Sequence, residues 1–399
     1  MLASLALIFL TGLALGWIFS KLRIPSFLGM LIAGIALGPH ALNLLDGSLL
    51  AISAELRQIA LIIILARAGL ALDTGVLKKV GRPALLMCFL PACFEIAGMV
   101  ILAPRLLGIS VLEAAIMGAV VGAVSPAVIV PKMLRLTETG HGTAKGIPQL
   151  IMAGASVDDV FVIVLFTAFV GLAQGRDFSP AGFLQIPVSI LTGLAGGIAV
   201  GLLLAFAANR INVRPPVKIL VLLCVSFLFV TLEKNPYVPF SGLLAVMAAG
   251  ASMLKKSPDT AKDLSSGLSK LWVGAEVLLF ALVGATVDLS YAAAAGLPAV
   301  LIIFGALVFR VIGVFCCLVK TRLTWKERLF CAVAYIPKAT VQAAIGSIPL
   351  TLGLACGDIV LTVAVLAILI TAPLGAFGVD MTYGRLLSRE GAPPESPGK

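Results

Sequence analysis

Long apolar segments follow one another along almost the whole chain, separated by short breaks that carry charges, prolines or glycines. A membrane-spanning helix needs roughly 20 consecutive apolar residues, and these segments have that length. The chain is 60% hydrophobic and only 12% charged, whereas soluble domains are about half apolar and about one quarter charged. The sequence therefore predicts an all-α polytopic protein embedded in the lipid bilayer, and it excludes a water-soluble globular fold.

The breaks delimit thirteen predicted transmembrane helices, which we number as spans 1 to 13 in chain order. The spans cover residues 2–19, 24–38, 55–72, 84–104, 111–131, 147–173, 184–208, 217–232, 238–253, 268–288, 296–319, 329–354 and 358–378.

Positive charge orients these spans, because Lys and Arg concentrate in loops that remain in the cytoplasm. Of the 29 basic residues, 22 fall in odd-numbered loops and the C-terminal tail. The even-numbered loops receive only Arg57, Arg105, Arg176 and Lys234. This asymmetry predicts a cell (inner) membrane protein with its N-terminus outside and its C-terminus in the cytoplasm. The net charge of +10 is accounted for by these loops facing anionic lipid, and we expect no nucleic-acid partner.

The two halves of the chain resemble each other at a nearly constant spacing. Residues 92–98 match residues 307–313 at an offset of 215, and Pro126 matches Pro337 at an offset of 211. The matches pair spans 1–6 with spans 8–13, and a shift of seven spans reverses every helix. We therefore predict two inverted-topology repeats, a common plan for transporters. Residues 1–183 form the first repeat, 184–214 a connector, 215–379 the second repeat and 380–399 a short cytoplasmic tail.

Spans 5 and 12 both contain internal proline. Span 5 carries Pro126 and Pro131, and span 12 carries Pro337. Proline removes a helical hydrogen bond and clashes with the preceding turn, and unwound backbone inside a membrane is tolerated only where protein or a watery cavity covers it. The sequence predicts a pair of broken helices that cross near the bilayer midplane.

Charged side chains within spans indicate a functional site, because they are costly inside a membrane. Span 6 carries the adjacent carboxylates Asp158 and Asp159, which point about 100° apart on a helix. Glu95 and Arg310 occupy matching repeat positions with opposite charge, which predicts an ion pair. Lys338 lies beside the break in span 12, where its ammonium could offset a half-helix dipole.

These residues lie in motifs that closely resemble those of the NHA-type sodium/proton exchangers of the cation/proton antiporter superfamily. The motifs are Ala-Val-Ser-Pro-Ala-Val-Ile-Val-Pro at 123–131, the aspartate pair, and Ile-Pro-Lys-Ala-Thr-Val-Gln-Ala-Ala at 336–344. The resemblance covers essentially all thirteen spans. It implies an antiporter fold with a mobile core of spans 4–6 and 11–13, a dimerisation domain made by the other spans, and a homodimer.

By this resemblance Asp159 is the essential ion-binding carboxylate and Asp158 its partner, which pairs with the basic residue of span 11. Related electrogenic exchangers generally have lysine there, whereas this chain has Arg310, which does not deprotonate in a protein. The stoichiometry is therefore open. Ser125, Ala127 and Thr340 offer further oxygen ligands, because hard cations prefer oxygen.

The resemblance implies a transporter rather than an enzyme, in which Na⁺ or Li⁺ displaces protons from Asp159 and Asp158. Alternating access needs no cofactor or ATP, and the sequence has no P-loop. A K⁺/H⁺ antiporter, a sodium-coupled symporter of the same fold and a cation channel are the alternatives. An intramembrane aspartyl protease is disfavoured, because adjacent aspartates cannot face each other across a gap.

Overall fold

A computed structural model describes residues 1–22, 24–71, 81–174, 180–210, 214–233, 235 and 238–389. Within these ranges the regular secondary structure is helical, apart from one isolated bridge between His141 and Arg389. The all-α class predicted from the sequence is confirmed.

The helices are numbered in chain order. They are α1 (Leu2–Lys21), α2 (Ser26–Leu37), α3 (Gly47–Ala51), α4 (Ser53–Ala71), α5 (Arg82–Met87), α6 (Leu90–Leu107), α7 (Val111–Val121), α8 (Pro126–Glu138), α9 (Ile147–Ala173), α10 (Pro180–Arg210), α11 (Pro215–Glu233), α12 (Gly242–Lys256), α13 (Pro258–Ala285), α14 (Leu289–Cys317), α15 (Trp325–Ala334), α16 (Thr340–Ile345), α17 (Ile348–Thr351) and α18 (Gly357–Leu386).

Every predicted span overlaps a helix, and nine helical segments of the described chain are long and apolar enough to cross a membrane. The other predicted spans differ for physical reasons. Helices α2 and α12 have only 12 and 15 residues, and α4 carries Glu55, Arg57 and Arg67. Span 12 is divided among α15, α16 and α17. The total of thirteen crossings therefore stays a prediction.

Spans 5 and 12 are interrupted at the predicted prolines. Helix α7 ends at Val121 and α8 begins at Pro126, where the missing N–H and the fixed φ of proline suit the first helical position. Span 12 is extended between the end of α15 and the start of α16. The two breaks touch, because the Ser125 backbone N–H donates to the Pro337 carbonyl at 2.8 Å. Pro131 lies inside α8 without ending it.

The chain forms two compact units. One comprises Met1–Thr74, Ile163–Gly296 and Ala343–Val365, and the other comprises Gly75–Val162, Leu297–Gln342 and Leu366–Lys399. We call the first the outer-segment unit, simply as a label. We call the second the break unit, because it contains both helix breaks.

In the outer-segment unit, helices pack closely through glycine. A Cβ atom on Gly34 would lie 2.6 Å from the carbonyl carbon of Ala281, and one on Gly284 would lie 2.9 Å from the backbone nitrogen of Ile35. Small residues at such crossings are typical of membrane helix pairs, because they let the backbones approach.

Arg57 also belongs to this unit, and its predicted place in a loop is wrong. It lies in α4, is only 4% exposed, and donates from Nε to the Ser53 carbonyl at 3.1 Å. Helix α4 begins at Ser53, so Arg57 lies in its second turn, in agreement with the predicted bounds of span 3 (55–72) and against the assignment of Arg57 to the preceding loop.

In the break unit, α6 and α14 meet through a reciprocal pair of contacts. A Cβ atom on Gly98 would lie 2.8 Å from the Phe309 ring, and one on Gly313 would lie 3.1 Å from Cβ of Phe94. Phe94 and Phe309 occupy matching positions of the two repeats, and so do the two glycines. The matching residues of the two halves therefore make equivalent contacts across this helix pair.

Candidate functional site

Arg310 stands at the centre of a buried polar cluster in the break unit. It projects from α14, and its side chain is 1% exposed. Nε donates to the Tyr335 carbonyl at 2.6 Å, Nη2 donates to Asp158 at 2.9 Å, and Nη1 donates to Glu95 at 2.7 Å and also to the Gly122 carbonyl. The planar guanidinium thus binds two carboxylates and the two carbonyls, of Gly122 and Tyr335, that lie at the starts of the two breaks. The single ammonium of a lysine could not make all of these contacts.

Glu95 is shared by two cations. Its Oε2 atom accepts from Arg310 at 2.7 Å and from Lys338 Nζ at 2.6 Å. The sequence predicted contact with Arg310 from the repeat match and left the choice of partner open. Lys338 is fully buried in the break of span 12, and its backbone N–H donates to Thr371 Oγ1 at 2.9 Å.

Asp158 faces the break of span 5. Its Oδ2 atom accepts from Arg310 Nη2 and from the Val124 backbone N–H, both at 2.9 Å. Its Oδ1 atom is buried and has no hydrogen-bond partner among the described residues. One carboxylate oxygen is therefore fixed, and the other is left for a ligand.

Other oxygens of the cluster share this condition, and Glu95 Oε1 is one of them. Asp159 Oδ1 and Ser125 Oγ are buried without a hydrogen-bond partner in the described chain. Ser125 precedes α8 but makes no side-chain cap bond. Thr340 is buried as the first residue of α16, and Ala127 is half-buried in the first turn of α8.

Two members of the cluster were not predicted from the sequence as site residues. Gln342 is 1% exposed and donates from Nε2 to the carbonyls of Val121 and Ala123. Thr371 holds the backbone of Lys338. A signal existed for each of them. Gln342 is an amide in the apolar helix that follows a break, and Thr371 carries a hydroxyl inside the apolar span 13.

Three acids and two bases meet here, so the fully ionised cluster has a formal charge of −1. The acids are Glu95, Asp158 and Asp159, and the bases are Arg310 and Lys338. A buried cluster with this excess attracts one positive charge, because desolvated charge is unfavourable unless it is compensated. Among the described residues no group of three or more His, Cys, Asp and Glu side chains forms a metal site. The unpartnered oxygens are of the ligand type that hard cations prefer, and the carboxylate oxygens among them can also take a proton.

Buried charges at the meeting point of two interrupted membrane helices are characteristic of secondary active transporters. Comparison with known proteins identifies the family. The chain matches the family model described as "Sodium/hydrogen exchanger, transmembrane" over residues 5–382. This chain belongs to the sodium/hydrogen exchanger family.

Individual relatives agree with this assignment. Mouse sodium/hydrogen exchanger 9B2 is 33% identical over 383 residues, which are 92% of this chain and 69% of the relative. Human sodium/hydrogen exchanger 9B1 is 30% identical over 418 residues, which are 97% of this chain and 78% of the relative.

The fold is shared with a solved structure, that of the sodium proton antiporter MjNhaP1 from Methanocaldococcus jannaschii at pH 8. The TM-score is 0.82 at 23% sequence identity, with 96% of this chain and 98% of the other covered. The predicted antiporter fold is thereby confirmed.

Proposed function

We propose that this chain is a secondary antiporter that exchanges Na⁺ or Li⁺ for H⁺ across the cell membrane. The cation and protons compete for Asp159 and Asp158, with Ser125 and Thr340 as additional oxygen ligands. Glu95, Arg310 and Lys338 are charge partners that hold the site in place. Family membership and the names of the relatives support the choice of Na⁺ and H⁺.

One observation carries the assignment of the site. Three oxygens of neighbouring elements, Asp158 Oδ1, Asp159 Oδ1 and Ser125 Oγ, are buried without a hydrogen-bond partner among the described residues. Such an oxygen costs free energy unless a ligand satisfies it. A dehydrated Na⁺ or Li⁺ would be coordinated by these oxygens, and a proton on either aspartate would relieve the same cost.

The charges of the cluster support a one-for-one exchange. One Na⁺ brings the formal charge of the five ionised groups from −1 to zero, and one proton does the same. The loaded site would then be neutral in both directions of transport, and the exchange would be electroneutral. Arg310 stays protonated throughout, so it contributes no transported proton.

The same proposal includes alternating access by an inverted-repeat fold. Spans 4–6 and 11–13 would form the moving core, the other spans would form the dimer domain of a homodimer, and the N-terminus would lie outside. The reciprocal contacts of Gly98 with Phe309 and of Gly313 with Phe94 support the repeat.

The test is the collapse of a preformed pH gradient in proteoliposomes on addition of Na⁺, Li⁺ or K⁺. Wild type is compared with Asp159→Asn and with Asp263→Asn, an exposed aspartate that serves as the matched control. We expect Na⁺ and Li⁺ to release the gradient in wild type and Asp263→Asn, and Asp159→Asn to be inactive. The rate should not change with an imposed membrane potential.

Cation flux without proton movement would refute the antiporter proposal and favour a channel or symporter. A response to K⁺ in place of Na⁺ and Li⁺ would move the substrate to potassium. A rate that depends on membrane potential would refute the one-for-one exchange alone.

A further inference from the structure

Gln342 joins the two broken helices with all the hydrogen-bonding atoms of its amide. Its Oε1 atom accepts from the Ala339 backbone N–H at 2.8 Å, just before α16. Its Nε2 group donates to the Val121 carbonyl at 3.2 Å and to the Ala123 carbonyl at 3.0 Å, in the break of span 5. These carbonyls lie at the last residue of α7 and two residues beyond it, where helical acceptors lose their internal donors.

The bond to Ala123 reaches the ion site through one rigid group. The Ala123 carbonyl and the Val124 N–H belong to the same planar peptide unit. Gln342 holds the oxygen end of that unit, and Asp158 Oδ2 accepts from its nitrogen end at 2.9 Å. Rotation of the peptide plane would therefore move both hydrogen bonds together.

The backbone groups on either side of this peptide are held by other partners. The orientation of the peptide between Ala123 and Val124 therefore depends on Gln342 and Asp158. Arg310 donates to the Gly122 carbonyl, and Pro337 accepts from Ser125. Gln342 donates to the two carbonyls on either side of Gly122, those of Val121 and Ala123. Without these bonds two buried acceptors would need a new partner, and a cation bound at the proposed site could take that place.

We infer that Gln342 is a positioning residue that orients Asp158 through the peptide between Ala123 and Val124, and thereby sets the affinity of the site for Na⁺ and Li⁺. This inference rests on the proposed cation site. Gln342 keeps the carbonyls of Val121 and Ala123 out of the cation's coordination shell. Cation choice then depends on the aspartate and hydroxyl oxygens alone, because discrimination between hard cations follows ligand number and geometry.

Two substitutions separate positioning from simple packing. Gln342→Leu removes every hydrogen bond at nearly constant size. Gln342→Glu retains the acceptor for Ala339, and its protonated form supplies one O–H donor in place of the amide. An ionised carboxylate supplies no donor. The apparent KM of the Glu variant should therefore be close to that of wild type at mildly acidic pH and should depart from it at alkaline pH.

The experiment measures apparent KM and maximal rate for Na⁺ and Li⁺ in proteoliposomes with equal amounts of folded protein. For Gln342→Leu we expect the apparent KM for Na⁺ to rise at least about tenfold, because tenfold corresponds to about 1.4 kcal/mol, roughly one hydrogen bond. The KM ratio of Li⁺ to Na⁺ should also change. For Gln342→Glu the rise in KM over wild type should grow with pH.

The control is Ser226→Ala, which removes a buried side-chain bond to the Leu222 carbonyl in the outer-segment unit. It should leave both KM values unchanged. If Gln342→Leu does not fold, Gln342→Glu decides the question alone.

Wild-type KM values in both Gln342 variants, with only less folded protein or a lower maximal rate, would overturn the inference. A KM of Gln342→Glu that falls with pH relative to wild type would also overturn it, because an added negative charge would then act directly on the cation. In these cases the proposed function stands if Asp159→Asn is inactive. If wild type shows no Na⁺-dependent proton movement, both the proposed function and the role of Gln342 are refuted.

Discussion

Asp158 and Asp159 are adjacent in the chain but differ in their hydrogen bonds, so their asparagine variants should differ in stability. Asp158→Asn keeps an amide oxygen that can accept from both the Val124 N–H and Arg310, but it removes the negative charge of the fully buried ion pair with Arg310, whose atoms are 2.9 Å apart. Bonds to charged groups contribute about 1.5–3 kcal/mol. Because Arg310 retains Glu95 as an ionic partner, we expect a loss within that range rather than the larger cost of an isolated buried charge.

Asp159→Asn should behave in the opposite way. Asp159 Oδ1 has no hydrogen-bond partner in the described chain, and a neutral amide is easier to bury than a carboxylate. The variant should therefore be at least as stable as wild type without Na⁺. Wild type should gain about 2.7 kcal/mol in Na⁺ at 100 times its Kd, and Asp159→Asn should lose this gain.

The assay is thermal denaturation of the detergent-purified protein in Na⁺ and in choline at equal ionic strength, with Asp263→Asn as control. In choline the expected order is Asp158→Asn below wild type, and Asp159→Asn equal to or above it. In Na⁺ only wild type and the control should shift upward strongly. Equal destabilisation of both variants in choline would refute the assignment of fixed and free carboxylates, and a full Na⁺ shift in Asp159→Asn would refute its role as ligand.

Further predictions concern the frame around the site. Arg310→Lys should lower the midpoint of thermal denaturation, since one ammonium cannot replace a fork with four partners. Thr371→Val should weaken Na⁺-dependent transport and Thr371→Ser should restore it, because serine keeps the hydroxyl that fixes the break backbone. Gly98→Ala and Gly313→Ala should each destabilise by about 1–3 kcal/mol through overpacking, measured by thermal denaturation, whereas Gly384→Ala, in open space on α18, should not.

The sequence was sufficient to predict the breaks and one ion pair. Pro126 and Pro337 cannot donate a backbone hydrogen bond, so any helix through them is disturbed whatever surrounds it. Glu95 and Arg310 could be paired because the repeat offset relates them directly, and no packing detail was needed. Both predictions rest on properties that act locally or through the repeat.

Other features depend on three-dimensional packing that the sequence does not contain. The sharing of Glu95 between Arg310 and Lys338 requires the reach of two side chains from different helical segments. The bonds of Gln342 require that the end of α7 lies beside α16, which belongs to the other half of the chain. The different states of Asp158 and Asp159 depend on the rotation of α9, which sequence periodicity does not fix to the nearest residue.

The repeated backbone contacts also explain why the fold offers one carboxylate site rather than two. Asp158 in the first half and Thr371 in the second each accept a backbone N–H from a break, from Val124 and Lys338 respectively. The residue after Asp158 is a second carboxylate, Asp159, whereas the residue after Thr371 is Ala372. The second half thus keeps the backbone contact but lacks both carboxylates, and it contributes the ammonium of Lys338 instead. In the proposed site, the carboxylates of the first half would attract a cation and the ammonium of Lys338 in the second half would repel it, so the site would be single and asymmetric.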